Sequence, residues 1–375
     1  MPPMRLPCDT PLLMHIAFLT VGDPARLTGG YLYHRELFAR LRAQGVQVTE
    51  VVASGADLAA QLAVAPEMGA RFAPTPFDVV VVDALASAVC APWLDEWRAQ
   101  RPLVAMVHEL PSVAAGAGSE HGAWPAPPHR STAPHPSWEA SLLRADRLVV
   151  VSEDGAHILV ERGVARERIV VASGGCNRLP LRRGEPPAGP PWSALCVAQW
   201  IPRKGVLELV RAWRRVVRPG WRLELVGEPD ADAAYAAVVR ATLAVAAPGS
   251  IVAHGTLSDV ALADAYARAA FFALPSRYEG YGLVFAEALA AGLPVVACAV
   301  GPLPALIGAD AGCLVPANDD AALATALAHL MDDAALRMRM AVAARARSTT
   351  LPTWEHCAAT FLGALEAAIA TRRGA

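Results

Sequence analysis

The sequence is short of net charge. Its acidic and basic residues nearly cancel, leaving −2 at neutral pH. No segment collects a run of lysines and arginines, so the electrostatic footprint of a nucleic-acid binder is missing. A long apolar stretch is lacking too. Alanine and valine carry much of a hydrophobic content of 54%, but proline and arginine interrupt it often enough that no unbroken apolar run reaches the ~18 residues of a membrane span. The seven cysteines (Cys8, Cys90, Cys176, Cys196, Cys298, Cys313 and Cys357) include no C-x-x-C pair. An odd number, several of them in apolar strand-like runs, argues against a disulfide framework or a thiolate metal site, and packed, reduced thiols of a cytoplasmic protein are expected. Met1-Pro-Pro-Met-Arg-Leu-Pro-Cys-Asp9 has no apolar core before a small-residue cleavage site, so a secretory signal is not expected. No G-x-G-x-x-G follows the first strand and no acid ends the second, which excludes the usual dinucleotide site.

What is present is one pattern, strand then helix, repeated in two halves. The length suggests two domains. Residues 1–13 read as a loose extension, and Met14-His-Ile-Ala-Phe-Leu-Thr20 is the first strand. Gly29-Gly30 precedes an amphipathic helix, Tyr31 to Arg42, and a glycine pair at such a turn lets backbone approach a ligand closely. Phe77-Asp-Val-Val-Val-Val-Asp83 is a continuous apolar run typical of a parallel strand covered on both faces. Pro102-Leu-Val-Ala-Met-Val-His108 places His108 at the carboxyl end of a strand, where doubly wound sheets bind ligands. A patternless loop follows over 112–137, of a length that in a compact domain is usually functional. The first domain closes near 183, a proline-rich linker covers 184–191, and the alternation restarts over 192–350. A loop with Arg203 and Lys204 stands just before a helix start, adding two cations to a dipole already suited to anions.

The rest is organised around Ser276-Arg-Tyr-Glu-Gly-Tyr-Gly-Leu-Val-Phe-Ala-Glu-Ala-Leu-Ala-Ala-Gly-Leu-Pro-Val-Val-Ala297. A short apolar strand leads into a glycine loop and then into a helix of good formers, Leu283 to Ala291, stopped by Gly292. That geometry turns unpaired amides and a positive dipole end toward an anion. Glu279 lies in the loop, and Glu287 about one turn into the helix. Carboxylates there cannot bind a phosphate, so they should accept hydrogen bonds from hydroxyls, as on a sugar or ribose.

This stretch resembles the signature of retaining glycosyltransferases of the GT-B fold, family 4, with two glutamates separated by seven residues inside a PS..EG(F/Y)G…EA.A.G.PVVA frame. The resemblance implies an α/β protein of two doubly wound Rossmann-like domains facing each other across a cleft. A C-terminal helix, 353–371, would cross back onto the first domain. It implies that Glu279 and His108, the latter in a His108-Glu-Leu-Pro111 motif, border the donor sugar, and that Glu287 holds the ribose. Gly29 and Gly30, the backbone of Gly282, Leu283 and Val284, and Lys204-Gly205 would face the diphosphate. This chain carries Gln199 where the family has a diphosphate-binding arginine, and Ala305 replaces a family glutamate. That leaves open whether Arg203 supplies the charge, donor affinity is lower, or activity is lost.

The expected reaction is metal-independent transfer of a sugar, with retention, from a nucleotide diphosphate to an acceptor hydroxyl on a glycan, lipid or small molecule. The nucleotide sugar would be substrate, with no cofactor, no metal and no nucleic acid involved and at most peripheral membrane contact. The rival readings are a catalytically silent sugar-nucleotide-binding or scaffold protein, or another enzyme of this fold such as an NDP-sugar epimerase or a phosphorylase.

Overall fold

In a computed structural model of the chain, the described residues are 14–55, 57–116, 136–181 and 189–374. The N-terminal extension and most of the 112–137 loop and the 184–191 linker lie outside them. Twelve strands among the described residues form two sheets of six, parallel throughout. The first contains β1 (His15–Val21), β2 (Gln47–Ala53), β3 (Val79–Asp83), β4 (Leu103–Val107), β5 (Arg147–Val150) and β6 (Ile169–Val171), in the order β2-β1-β3-β4-β5-β6. The second contains β7 (Trp192–Val197), β8 (Trp221–Val226), β9 (Ile251–Gly255), β10 (Phe271–Leu274), β11 (Val295–Cys298) and β12 (Gly312–Val315). Its order is β12-β11-β10-β7-β8-β9. Both are doubly wound α/β sheets.

Burial explains the sequence pattern. The apolar runs of β3, β4, β10 and β11 are buried at every residue because helices cover both faces. By contrast β2 and β9 stand at sheet edges, and polar or half-exposed residues dominate them. The winding direction reverses between β1 and β3 in one sheet and between β7 and β10 in the other. At such a reversal the loops leaving the carboxyl ends of the strands part and open a crevice. Gly29-Gly30, Asp83 and His108 follow or end strands around the first reversal, and Gln199 to Lys204 and Ser276 to Gly282 follow strands at the second.

The first helix spans Gly29–Ala43, beginning two residues before the sequence-based start at Tyr31. Thr28 is the reason: its side chain accepts the Tyr31 N–H and caps the helix, so the glycine pair is already its first turn.

A last helix, Trp354–Arg373, returns to the first sheet. Trp354, Phe361, Leu365 and Ala368 are fully buried and share a core cluster with Ile16, Phe18, Met106 and Val149. Thr353 caps its start, where Asn177 accepts the Trp354 N–H and donates to Glu355, both at 2.8 Å. The C-terminus thus fastens the sheet that begins the chain. Truncating Phe361 to alanine is expected to cost about 3–5 kcal/mol through lost burial and the cavity left behind. Denaturant unfolding should show this as a lowered midpoint, and an unchanged midpoint would show that the helix does not hold the first domain.

Candidate active site

One cleft lies between the carboxyl ends of the two sheets. Its lining includes every site residue proposed from sequence: Gly29, Gly30, His108, Gln199, Arg203, Lys204, Glu279, Gly282, Leu283, Val284 and Glu287. Two glycines set its shape. Gly280 sits so close to the first domain that a Cβ there would lie 2.2 Å from the His108 carbonyl oxygen. Gly282 adopts φ of +100° and opens the helix Leu283–Ala290, which no side chain caps. Leu283 and Val284 line the cleft, and their amides, the first of that helix, have no partner within it.

The carboxylates are not free, as the sequence had suggested. Lys204 Nζ donates to Glu279 Oε1 at 2.7 Å, and both side chains are largely buried. Burial alone would raise the Glu279 carboxyl, but the charges of Lys204 and Arg203 outweigh it and hold the group below its ordinary value. Lys204 itself is drawn down by burial more than Glu279 draws it up. With the carboxyl ionised beside it, the pair is best described as an ammonium on a carboxylate.

Glu287 is more deeply committed. Its Oε1 accepts from Arg178 Nε at 2.9 Å and lies 2.8 Å from Nη2, and its Oε2 accepts from Tyr266 Oη at 3.1 Å. Burial raises the Glu287 carboxyl, and Arg178 and Tyr266 only partly offset that. Arg178 also donates to Asp259 at 2.6 Å. Arg203 donates to the Tyr278 carbonyl at 3.2 Å and stands 3.6 Å from Glu109 of the first domain. Gln199 donates to Glu228 at 2.6 Å, and the same carboxylate accepts two bonds from Arg26, which reaches across from the first domain. Each of these cations is therefore already matched to an acid. Sequence reasoning missed Arg26, Arg178 and Glu228, because their pairings join residues 202 and 109 positions apart.

A second cluster was also missed. Thr20, His34, Asp83 and His108 meet beneath the cleft floor. Thr20 Oγ1 donates to Asp83 Oδ2 at 2.9 Å, and His34 Nε2 lies 3.7 Å from that oxygen and 2.7 Å from His108 Nε2. The position of Asp83 at a strand end, like that of His108, was the available signal. The ligand atoms of His34, Asp83 and His108 all lie within 4.8 Å of one another, as a metal site would want. The 2.7 Å contact between the imidazoles is nevertheless a hydrogen bond. Burial holds His108 down at about 4 and pushes Asp83 up to about 7.

Residues 29–178 match the family model "Glycosyltransferase Family 4", and residues 193–333 match "Glycosyl transferases group 1". Each half of the chain thus carries a glycosyltransferase family domain. Among relatives of the chain, the MMP alpha-(1->4)-mannosyltransferase of Mycolicibacterium hassiacum is 31% identical over 60% of this chain and 54% of its own length. Glycogen synthase of Mycobacterium tuberculosis is 30% identical over 69% of this chain and 64% of its own. The chain thus spans between half and two thirds of these two relatives. Two solved structures share the fold. Sucrose-phosphate synthase from Thermosynechococcus elongatus superposes with a TM-score of 0.76 at 22% identity, over 96% of this chain and 100% of the other. HepE of Anabaena, in complex with UDP-glucose, gives 0.72 at 17% identity, over 94% and 100%. The fold is therefore GT-B, as the resemblance implied.

The two shifted groups beneath the cleft make opposite stability predictions. A histidine depressed to about 4 is neutral in the folded chain while the unfolded chain takes up a proton, so it costs stability as pH falls from about 6.5 towards 4. An aspartate raised to about 7 costs stability as pH rises from its ordinary value through 7. Relative to the parent, His108→Gln should gain melting temperature as pH falls over the first window, and Asp83→Asn as pH rises over the second. Parallel melting curves at all pH values would refute both shifts.

Proposed function

We propose that this chain is a retaining glycosyltransferase that moves a sugar from a nucleotide diphosphate to an acceptor hydroxyl without a metal. The observation that carries the proposal is the gathering of an uncapped helix start, Lys204, Glu279 and His108 in one cleft between the two sheets. Departure of a nucleoside diphosphate leaves negative charge on the phosphate and positive character on the sugar. The amides of Leu283 and Val284, with the dipole behind them, offer fixed donors for the phosphate without reorganisation. Lys204 and Arg203 supply the countercharge that a divalent cation supplies elsewhere. Glu279, held ionised, suits the hydroxyls and developing charge of the sugar, and His108 borders it from the other domain. The carboxylates of Glu279 and Glu287 are set by one loop and the helix it enters, so they do not read as the flanking acid pair of a hydrolase. The names of the relatives, a mannosyltransferase and a glycogen synthase, and the UDP-glucose bound by HepE support an activated-sugar donor.

Because the cations are already paired, the donor must exchange partners with acids on entry. A cytoplasmic location fits the burial of Cys90, Cys196, Cys298 and Cys357 as packed thiols. No described helix is long and apolar enough to cross a membrane. The rival, a chain that binds donors without reacting, is an outcome of the same test.

Incubation with UDP-, GDP- and ADP-sugars should give slow donor hydrolysis, and faster transfer once an acceptor is supplied. Glu279→Ala should lower kcat at least about 100-fold, whereas Lys204→Ala should act chiefly on donor KM, by about 10–100-fold for a charge-assisted hydrogen bond. Binding without turnover by the parent would favour the silent protein. Parent rates in the Glu279 variant would remove it from the mechanism.

A further inference from the structure

The two imidazoles beneath the cleft carry a consequence for the ligand side of His108. Their Nε2 atoms face each other at 2.7 Å, so one nitrogen holds a hydrogen and the other a lone pair. Aromatic side chains pack against both rings. His34 is stacked on Phe38 at 5.7 Å and meets the edge of Phe18 at 4.6 Å, and His108 meets Tyr33 edge-on at 4.9 Å. His34 is 4% exposed in this apolar setting, which disfavours a charged ring.

Asp83 decides which nitrogen holds the hydrogen. Its Oδ2 lies 3.7 Å from His34 Nε2 and is fully buried. That oxygen accepts from Thr20, while Oδ1 accepts from the Leu85 N–H at 3.1 Å. When the carboxyl is ionised both oxygens act as acceptors, and Oδ2 turns electron density toward His34. A hydrogen on His34 Nε2 is attracted by it. A lone pair on His34 Nε2 would be repelled. His34 is therefore the donor and His108 Nε2 the acceptor. A neutral His108 that accepts at Nε2 must carry its own hydrogen on Nδ1.

We propose that His34 is a positioning residue which, oriented by Asp83, fixes His108 as the tautomer protonated on Nδ1, so that His108 offers the cleft a hydrogen-bond donor. A ligand oxygen, such as a sugar hydroxyl accepting through its lone pair, is what this nitrogen would recognise. The last step rests on the transferase reading, in which His108 borders the donor sugar. The tautomer itself does not.

The test begins with that tautomer. In the full chain labelled with ¹⁵N-histidine, long-range ¹H–¹⁵N correlation spectra distinguish Nδ1–H, Nε2–H and imidazolium rings, and His108→Gln identifies the His108 signals. At pH 8, above the value of about 7 to which burial pushes Asp83, the parent should show His108 protonated on Nδ1 and His34 on Nε2. His34→Phe should redistribute His108 between its two neutral tautomers. Asp83→Asn, which keeps shape but alters the acceptor, should do so in part, and it stands in if the phenylalanine variant does not fold. An Nε2–H or imidazolium His108 in the parent overturns the inference, as does an unchanged His108 in both variants.

Kinetics then test the use of the donor. With whichever nucleotide sugar turns over, His34→Phe should lose about tenfold in kcat/KM, the size of one hydrogen bond. His34→Gln, which keeps an N–H donor, should recover part of it. Equal kcat/KM in all three, with the tautomer confirmed, would leave the positioning intact but overturn its role in transfer. Absence of turnover in the parent would fail the transferase reading alone.

Discussion

The two sheets meet where the Gly280 backbone lies against the carbonyl of His108, and the cleft depends on that approach. Any side chain at 280 would hold the second domain away from the first, since its Cβ would fall within 2.2 Å of the carbonyl oxygen. Contact at this point brings the Glu279 carboxylate and the His108 ring to opposite walls of one crevice. The return helix makes the approach durable, because it joins the end of the chain to the core of the first sheet through Trp354, Phe361 and Leu365.

Charge in the crevice follows a second constraint. Lysine and arginine side chains this close to a protein interior are costly unless matched, and a cleft built for a diphosphate must still fold when empty. The chain meets both needs by pairing each cation with an acid. The pairs differ in how readily they would give way. Arg178 and Glu287 are both 5% exposed at their side chains, whereas Arg26 and Glu228 are 43% and 30% exposed. Solvent screens the latter and makes it worth little, so it is the easiest to open. The buried pair instead reads as part of the wall.

Much of this was legible before any coordinates. Continuous apolar runs such as Val79–Asp83 are distinctive, because only a strand covered on both faces tolerates them. A glycine loop entering a helix, as at Gly280 to Leu283, has few other uses. These features, with the family resemblance, pointed to the fold and to eleven of the residues that line the cleft. What could not be read were the partners. Whether Glu287 waits for a hydroxyl or is held by Arg178 depends on where a residue 109 positions earlier comes to rest. His34 was unreadable for another reason. On the helix Gly29–Ala43 it occupies the inward stripe with Tyr33, Leu37 and Phe38, where a histidine looks like packing.

Gln199 shows what the combined reading adds. From sequence it was a missing charge. In the fold its amide is spent on Glu228, and that acid is also held by Arg26 from the other domain. The neighbourhood of residue 199 therefore does contain a guanidinium, but one carried on the loop that precedes the glycine pair. A cation on the opposite domain differs physically from one on the same strand end. It reaches the second domain only while the domains are together, so its contribution falls away when they part. In this chain the electrostatics of that corner depend on the apposition of the two domains, whereas a charge fixed at 199 would not.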